Sequence, residues 1–228
     1  MTKIAGTEQA ELREALKAQI RADGSNGADF ATMMAQVSDE TNFKTHAVNH
    51  RTGAAGPFQF VKGTWLSLVQ KYGEEAGVKS SLVAQIKTGA HGRVHVDNHH
   101  ALTEILDLRF DIGIATKMAS KYTALNKAHL GKILGRPASD AEVQMSFLLG
   151  ATGAAHLIKA AEETPGRSVD TVLPHAAAAN RSLFRDGEGH PLSAADAVEH
   201  LSARFRSQRA KFAAYVAAPP ASDMKIDA

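Results

Sequence analysis

Residues 40–65, with the sequence ETNFKTHAVNHRTGAAGPFQFVKGTW, separate two stretches that have helical periodicity. In the stretch before them, residues 30–37, apolar side chains recur at i, i+3, i+4 and i+7, the spacing of one helix face. Within the segment, residues 41–63 lose this period and collect Asn, Gly and Pro, which predicts a loop or a short hairpin. The sequence therefore predicts a helix ending near Glu40, an irregular connection and a helix containing Trp65.

Further periodic stretches indicate that most of the chain is helical. They lie at residues 8–22, 61–73, 101–122, 139–163 with a break at Gly150, and 193–217. Gly73 is predicted to end the second of these as its C′ glycine, and 101–122 is predicted to be one long, mostly buried helix. Residues 165–174 are predicted to be a connection. No period-2 pattern exceeds a few residues, so the predicted fold class is mainly α.

The predicted organisation is an N-terminal helix and connection at 1–27, a main helical domain at 28–217 and a flexible tail at 218–228. No run reaches the ~18 apolar residues of a membrane span. Acidic residues within 1–24 replace the apolar core of a secretory signal, so the sequence predicts no Sec leader.

The composition excludes several classes of function. The 228 residues contain no Cys, which rules out disulfides, cysteine nucleophiles and thiolate metal sites. The 26 Lys and Arg against 24 Asp and Glu leave a formal net charge of +2, which does not predict a nucleic-acid partner. Catalytic chemistry must therefore come from carboxylates, His, Ser or Thr, Lys or Tyr.

Glu40 is the first candidate for such chemistry. On a helix it would lie about 20° around the axis from Met33, at the edge of the apolar face. We expect partial burial near Phe43, Phe58 and Phe60 to raise the pKa of its carboxyl group, as a general acid near neutral pH requires. Periodicity alone favours a solvated carboxylate at a helix end, because charged residues are mostly exposed.

The residues around Glu40 resemble a family signature. Glu40-Thr41-Asn42-Phe43, then Gly53-Ala54-Ala55-Gly56-Pro57-Phe58-Gln59-Phe60, and then Thr64-Trp65-Leu66 are similar to the E-S-x-F, G-L-F/M-Q-F and T-W motifs of lytic transglycosylases. Order and spacing both agree. Weaker similarity at 108–111, 147–155 and 179–184 extends the resemblance over residues 28–205.

This resemblance implies a lysozyme-like helical domain that cleaves the β-1,4 bond between MurNAc and GlcNAc in peptidoglycan. Glu40 would protonate the glycosidic oxygen and then accept a proton from the C6 hydroxyl of MurNAc. The product would be 1,6-anhydroMurNAc, formed without water, a second enzyme carboxylate, a metal or a cofactor. The expected substrate-binding residues are Gln59, Phe58, Phe60 and Asn42 in the signature, and Tyr122 outside it.

Two departures from the signature leave other functions open. Pro57 replaces a Leu or Met, and Phe147 and Leu148 stand where many members carry a tyrosine that reaches the glutamate. Either Tyr122 substitutes for that tyrosine or the contact is absent. A non-catalytic glycan-binding or scaffold protein of an envelope-spanning machine or phage particle is therefore one alternative.

A hydrolytic lysozyme, or muramidase, is the other alternative. It needs a second carboxylate at a suitable distance. The candidates are Asp97, Asp107 and Asp111, if the fold brings one of them across from Glu40.

Other notable residues favour structural roles. His91, His95 and His99 have the spacing of a helical zinc site, but Gly92 and two valines disfavour a helix there, so solvated or saccharide-facing histidines, His100 included, are predicted. Trp65 is predicted to pack in the core rather than against a sugar. Arg109 is predicted to form a structural ion pair with its neighbours Asp107 and Asp111.

The resemblance also implies a location and partners. The expected site of action is the bacterial cell wall, in the periplasm or envelope, with peptidoglycan glycan strands as the partner. Without a Sec leader, the open routes are a phage lysis or virion protein, transfer through a secretion machine, or a chain whose signal was cut away. Components of a secretion machine or a phage virion are therefore further expected partners.

Overall fold

The computed structural model describes residues 2–22 and 45–217. The helix predicted at 30–37, together with Glu40 and Asn42, and the tail predicted at 218–228 lie outside the described residues. Within the described residues the protein is mainly helical, as the sequence predicts, and every strand is two residues long. None of the helices in these two ranges has both the length and the apolar character needed to span a membrane.

The described residues divide into two compact units. The first contains residues 2–22, 45–122 and 212–217, and the second contains residues 123–211. In chain order the elements are α1 (Thr2–Ala22), β1 (Val48–Asn49), β2 (Ala54–Ala55), α2 (Lys62–Ala76), α3 (Ser80–Val83), β3 (Lys87–Thr88), β4 (Val94–His95), α4 (His99–Asp107), α5 (Ile112–Leu134), α6 (Asp140–Glu163), α7 (Val169–Val172), α8 (Pro174–Ala179) and α9 (Ala194–Ala217). Short 3-10 turns lie at Ala90–Gly92, Leu108–Phe110 and Arg181–Leu183.

The strands form two small antiparallel hairpins in the first unit. Val48 pairs with Ala55 in the β1–β2 hairpin, and Lys87 pairs with His95 in the β3–β4 hairpin. The β1–β2 hairpin lies within the segment that the sequence predicts to be a loop or short hairpin, which confirms that prediction.

The core of the first unit is built around the indole of Trp65. This side chain on α2 has no exposed surface, and its Nε1 donates a hydrogen bond to the carbonyl oxygen of Ile105 on α4 at 2.7 Å. Met118 on α5 and Leu12 and Leu16 on α1 are also fully buried. Trp65 is therefore a core residue, as predicted, and the predicted half-buried character of α1 is confirmed by its two buried leucines.

The prediction that Gly73 ends α2 is wrong. The helix continues to Ala76, and Gly77, with φ of 104°, is the left-handed residue that caps it. Gly73 is buried inside the helix, where an added Cβ would lie 2.9 Å from Cγ2 of Val83. The glycine is needed for close packing against α3 rather than for a turn.

The prediction of one long helix at 101–122 is also wrong. Helix α4 ends at Asp107, a 3-10 turn follows, and α5 starts at Ile112. Asp111 lies at the break, and its Oδ1 accepts a hydrogen bond from the backbone N–H of Ile114 at 2.8 Å. A side chain that caps an N-terminus favours a new helix start, although apolar residues continue on both sides.

The second unit contains the remaining predicted helix boundaries. Ser139 and Glu142 form the predicted capping box at the start of α6, and Gly150, with φ of 71°, produces the predicted break. Ser193 accepts the predicted hydrogen bond from the Asp196 N–H ahead of the final helix. The predicted connection at 165–174 is more ordered than expected because it contains α7, which Ser168 caps.

Candidate functional site

The β1–β2 hairpin begins with a side-chain-supported turn. Oδ1 of Asn49 accepts hydrogen bonds from the backbone N–H groups of Arg51 and Thr52 at 3.0 and 3.2 Å. The Gly53 N–H then donates to the Asn49 carbonyl at 2.7 Å, with Gly53 in the left-handed region. These local bonds explain why a polar, glycine-containing sequence folds tightly here.

A second turn follows directly and contains the G-P-F-Q motif. Residues 47–60, which include the β1–β2 pair and both turns, are together called the hairpin. The Gln59 N–H donates to the Gly56 carbonyl at 3.2 Å, which places Pro57 at the second position of a four-residue turn. Proline is favoured at that position because its fixed φ suits the turn. The backbones of Ala55 and Phe60 bond to each other on either side at 3.2 Å. The turn thus accommodates the departure at Pro57.

Gln59 is held in an unusual conformation in this turn. Its φ of 50° is a left-handed value that non-glycine residues rarely adopt. Its side-chain Nε2 donates to the carbonyl oxygens of Ala47 at 3.1 Å and Gly56 at 2.8 Å. Both partners are carbonyl oxygens, which only accept, so this end of the amide must be the NH₂ group.

The consequence is that Gln59 offers a ligand only a hydrogen-bond acceptor. Both side-chain hydrogens are used within the hairpin, and within residues 2–22 and 45–217 no group donates to Oε1. The two bonds also stabilise the left-handed backbone, which otherwise costs free energy. A fixed acceptor of this kind suits recognition of a hydroxyl or amide N–H group.

Aromatic side chains fix the hairpin within the first unit. The ring of Phe60 lies 6.4 Å from Phe58, 5.3 Å from Trp65 and 5.9 Å from Tyr122, measured between centroids. Phe58 and Phe60 are 7% and 5% exposed, whereas Tyr122 is half-buried. The two phenylalanines therefore support the Gln59 turn from within the unit, and Tyr122, which packs on Phe60, is partly exposed.

Arg109 contacts the same hairpin from the turn between α4 and α5. Its Nη1 donates to the carbonyl oxygens of Gly53 at 3.0 Å and Phe60 at 3.1 Å, and its Nε donates to Leu106 at 2.9 Å. Burial lowers the pKa of the Arg109 guanidinium, and the nearby charge of Asp107 opposes this effect. Sequence reasoning missed these contacts because the two hairpin carbonyls lie 56 and 49 residues away along the chain.

The predicted ion pair of Arg109 is not formed among the residues that the structure describes. Asp107 acts on Arg109 only through its charge, and Asp111 caps α5 instead. The third acidic candidate, Asp97, bonds to Lys87 at 2.9 Å, and this hydrogen bond and charge lower the pKa of Asp97. Asp97 and Asp111 thus already have structural partners.

The histidine-rich stretch does not form a helix, as its valines and glycine predict. His91 lies in a 3-10 turn, His95 lies on β4, and His99 begins α4. Across residues 2–22 and 45–217, no group of three His, Asp or Glu side chains is arranged to hold a metal ion. A further imidazole, that of His46, stacks on Phe110 at 5.6 Å next to Arg109, a contact with no signal in the sequence pattern.

Four of the six predicted site residues come together in the first unit: Gln59, Phe58, Phe60 and Tyr122. The other two, Glu40 and Asn42, lie outside the described residues. The described part of the signature therefore comprises the G-P-F-Q-F motif and the T-W motif at the start of α2. No known protein family model matches this chain.

Proposed function

We propose that this protein is a peptidoglycan lytic transglycosylase in which Glu40 is the general acid and base and Gln59 binds the glycan. The observation that supports the proposal is the fixed carboxamide of Gln59. It lies in the G-P-F-Q-F part of the signature, both of its N–H groups are bonded to backbone carbonyls, and no group among residues 2–22 and 45–217 donates to its oxygen.

The chemistry of peptidoglycan suits such an acceptor. Its glycan strands present hydroxyl groups and N-acetyl N–H groups, both of which donate hydrogen bonds. A carboxamide fixed by two backbone bonds pays little entropy to accept from one of them. In this proposal Gln59 orients the sugar, and the neighbouring surface of Tyr122 contributes apolar contact.

The proposed reaction needs one carboxyl group. Glu40 in its protonated form donates to the glycosidic oxygen between MurNAc and GlcNAc while an oxocarbenium-like state develops at C1. The carboxylate then removes the proton of the MurNAc C6 hydroxyl, and that oxygen bonds to C1. The bond to the leaving sugar breaks, and the new chain end is a 1,6-anhydro ring.

The proposal also covers fold and location. The proposed domain is lysozyme-like: the β1–β2 hairpin and α2 follow the helix that the sequence predicts up to Glu40, and the mainly α character of the described residues supports this class. Peptidoglycan strands at the bacterial cell wall are the proposed partner. A secretion machine or a phage particle is the proposed route of delivery.

Clearing of a purified peptidoglycan suspension tests the activity. The wild-type chain is expected to lower the turbidity, whereas Glu40→Gln, which cannot donate or accept the catalytic proton, is expected to lose at least about 100-fold in rate. Glu74→Gln, the same change at an exposed residue of α2, is the matched control and should behave as wild type. Equal clearing by wild type and Glu40→Gln would refute the proposal, and no clearing by wild type would favour the scaffold alternative.

A further inference from the structure

Arg109 lies where it can fix both ends of the segment that carries Gln59. Arg109 is the middle residue of the 3-10 turn Leu108–Phe110. The Asp111 N–H closes that turn by donating a hydrogen bond to the Leu108 carbonyl at 3.2 Å. The next helix starts immediately afterwards. The backbone of Arg109 is therefore held by two helices, α4 and α5, rather than by a free loop.

A single guanidinium nitrogen joins the two ends of the segment 53–60. Nη1 donates to the carbonyl of Gly53, which follows the first turn, and to the carbonyl of Phe60, which follows the second. The Nε group is bonded to the Leu106 carbonyl at the end of α4, which fixes the plane of the guanidinium. Lysine has one compact ammonium group and cannot reproduce this planar arrangement of donors.

The backbone of Arg109 makes a second, independent contact with the segment. Gly56 has φ of 79°, and a Cβ added there would overlap the carbonyl oxygen and carbon of Arg109. The carbonyl of Gly56 is also one of the two acceptors for the Gln59 side chain. One residue of the α4–α5 turn thus touches the segment at its start, in its middle and at its end.

The surroundings of the guanidinium favour a role in holding backbone rather than in pairing with a carboxylate. The side chain is partly buried, and it donates hydrogen bonds to three backbone carbonyl oxygens. Among the described residues no carboxylate forms an ion pair with it. Placing a cation there costs desolvation, which the carbonyl dipoles offset only while the hairpin keeps this shape.

We propose that Arg109 is a positioning residue that keeps the Gln59 carboxamide in its glycan-binding orientation by fixing the carbonyl groups of Gly53 and Phe60. This role rests on the proposed function, because Gln59 is the residue through which Arg109 acts. Arg109 itself does not touch the substrate in this proposal.

The test is a double-mutant cycle in the full chain. Muropeptide release at low substrate concentration, which reports kcat/KM, is measured for wild type, Arg109→Lys, Gln59→Ala and the double variant. In parallel, NMR follows the solvent exchange of the Gln59 side-chain amide hydrogens, and thermal unfolding gives Tm. Arg93→Lys, at an exposed arginine of the other hairpin, is the matched control.

Arg109→Lys is expected to lower kcat/KM roughly 10- to 100-fold and to speed the amide exchange, since misplacement of about 1 Å has such an effect on rate. In the Gln59→Ala background, Arg109→Lys is expected to lower kcat/KM by less than about twofold, because the two residues act as a unit. Arg93→Lys should change neither quantity. If the lysine variant does not fold, Arg109→Gln, which retains an uncharged N–H donor group, replaces it in the cycle.

The role of Arg109 would be overturned if Arg109→Lys lowered kcat/KM equally in the wild-type and Gln59→Ala backgrounds. It would also be overturned if the substitution left the Gln59 amide exchange unchanged. An inactive wild-type chain would instead refute the proposed function. In that case the exchange of the Gln59 amide alone decides whether Arg109 positions this side chain.

Discussion

At the scale of single residues, the hairpin depends on backbone conformations that only a few side chains allow. Gly53, Gly56 and Gln59 all have positive φ within seven residues of chain. The glycines adopt this region at little cost, whereas Gln59 requires the two hydrogen bonds of its own side chain. The substrate-binding role proposed for Gln59 therefore depends on the backbone conformation of its neighbours and on the close approach of Arg109 to Gly56.

Gly56→Ala tests this dependence. We expect it to lower the free energy of unfolding by about 3 kcal/mol, because the methyl group adds overlap with the Arg109 carbonyl to left-handed backbone strain. Gly53→Ala is the matched control, since Gly53 has φ of 71° but nothing within 4 Å of an added Cβ. It should cost only about 1 kcal/mol. Urea denaturation measures the free energy of unfolding of both variants. Equal losses would contradict the close approach of Gly56 to the Arg109 carbonyl.

The sequence predicts the turns of the hairpin but not the hydrogen bonds from Arg109 that hold it. Asn, Gly and Pro within residues 49–57 indicate turns through local chemistry alone. The two carbonyl contacts of Arg109 span 56 and 49 residues, so no local pattern could indicate them. The predicted ion pair of Arg109 failed for the same reason.

At the scale of elements, helix α2 shows how packing overrides a local glycine signal. Gly73 follows Tyr72 at the end of an apolar stripe and so predicts a helix end, but the helix continues for three further residues. Side chains of Val83 and Val69 occupy the space where its Cβ would be, at 2.9 and 3.1 Å. The contact with α3 is therefore the reason for glycine at this position.

Gly73→Ala is expected to destabilise the protein by about 1 to 2 kcal/mol, although alanine favours helices. Overlap with the two valines exceeds the gain in helix propensity of about 1 kcal/mol. Gly63→Ala, near the start of the same helix with no atom within 4 Å of the added group, is expected to be neutral or stabilising by up to about 1 kcal/mol. Chemical denaturation compares them; stabilisation by both would show that Gly73 is not a packing residue.

The start of α6 depends on pH through Glu142. Its side chain bonds to Arg136 at 2.7 and 3.0 Å and to the Ser139 N–H at 2.7 Å, and Arg136 also bonds to Glu162. Burial by itself raises the pKa of Glu142, but the bonds to Arg136 and Ser139 outweigh it, so that the pKa is lowered. A lowered pKa means that the folded state binds the proton less tightly than the unfolded state.

The carboxylate of Glu142 therefore stabilises the fold above the unfolded pKa of about 4.3, and this contribution is lost as the pH falls through the lower folded value. We expect Glu142→Gln to reduce the free energy of unfolding at pH 7, and the difference from wild type to shrink below about pH 4. Glu163→Gln, at an exposed residue of the same helix, is the control and should show little difference at either pH. A difference independent of pH would contradict this account.

Local signals explain which element boundaries were predicted correctly. The Ser139 capping box and the break at Gly150 are encoded by neighbouring residues, and both were found. The division of 101–122 into α4 and α5 was missed, because apolar residues continue through it and a single side chain, Asp111, starts the second helix.

At the scale of the whole molecule, helix periodicity predicts the mainly α class correctly but not the two compact units. The chain passes between the units within α5, after Tyr122, and within α9, after Lys211. Hydropathy shows no linker at either place, so the division could not be predicted from composition. The second unit has its own core, with Leu130, Val143, Leu157 and Phe184 among its fully buried side chains.

The function proposed for the molecule joins a catalytic carboxyl group, identified by resemblance, to a hairpin whose geometry the structure describes. In this proposal the resemblance implies the substrate class, and the fixed Gln59 acceptor is complementary to the hydroxyl and N–H donors of a glycan. They make different contributions, because the first implies the reaction and the second supports glycan binding. A product measurement separates the proposed reaction from hydrolysis.

Mass analysis of muropeptides released from purified peptidoglycan tests this claim most directly. The wild-type chain is predicted to produce fragments ending in 1,6-anhydroMurNAc, lighter by one water than the hydrolysis products, and Glu40→Gln is predicted to produce none. Fragments with reducing MurNAc ends, or anhydro fragments released equally by the Glu40→Gln variant, would contradict it.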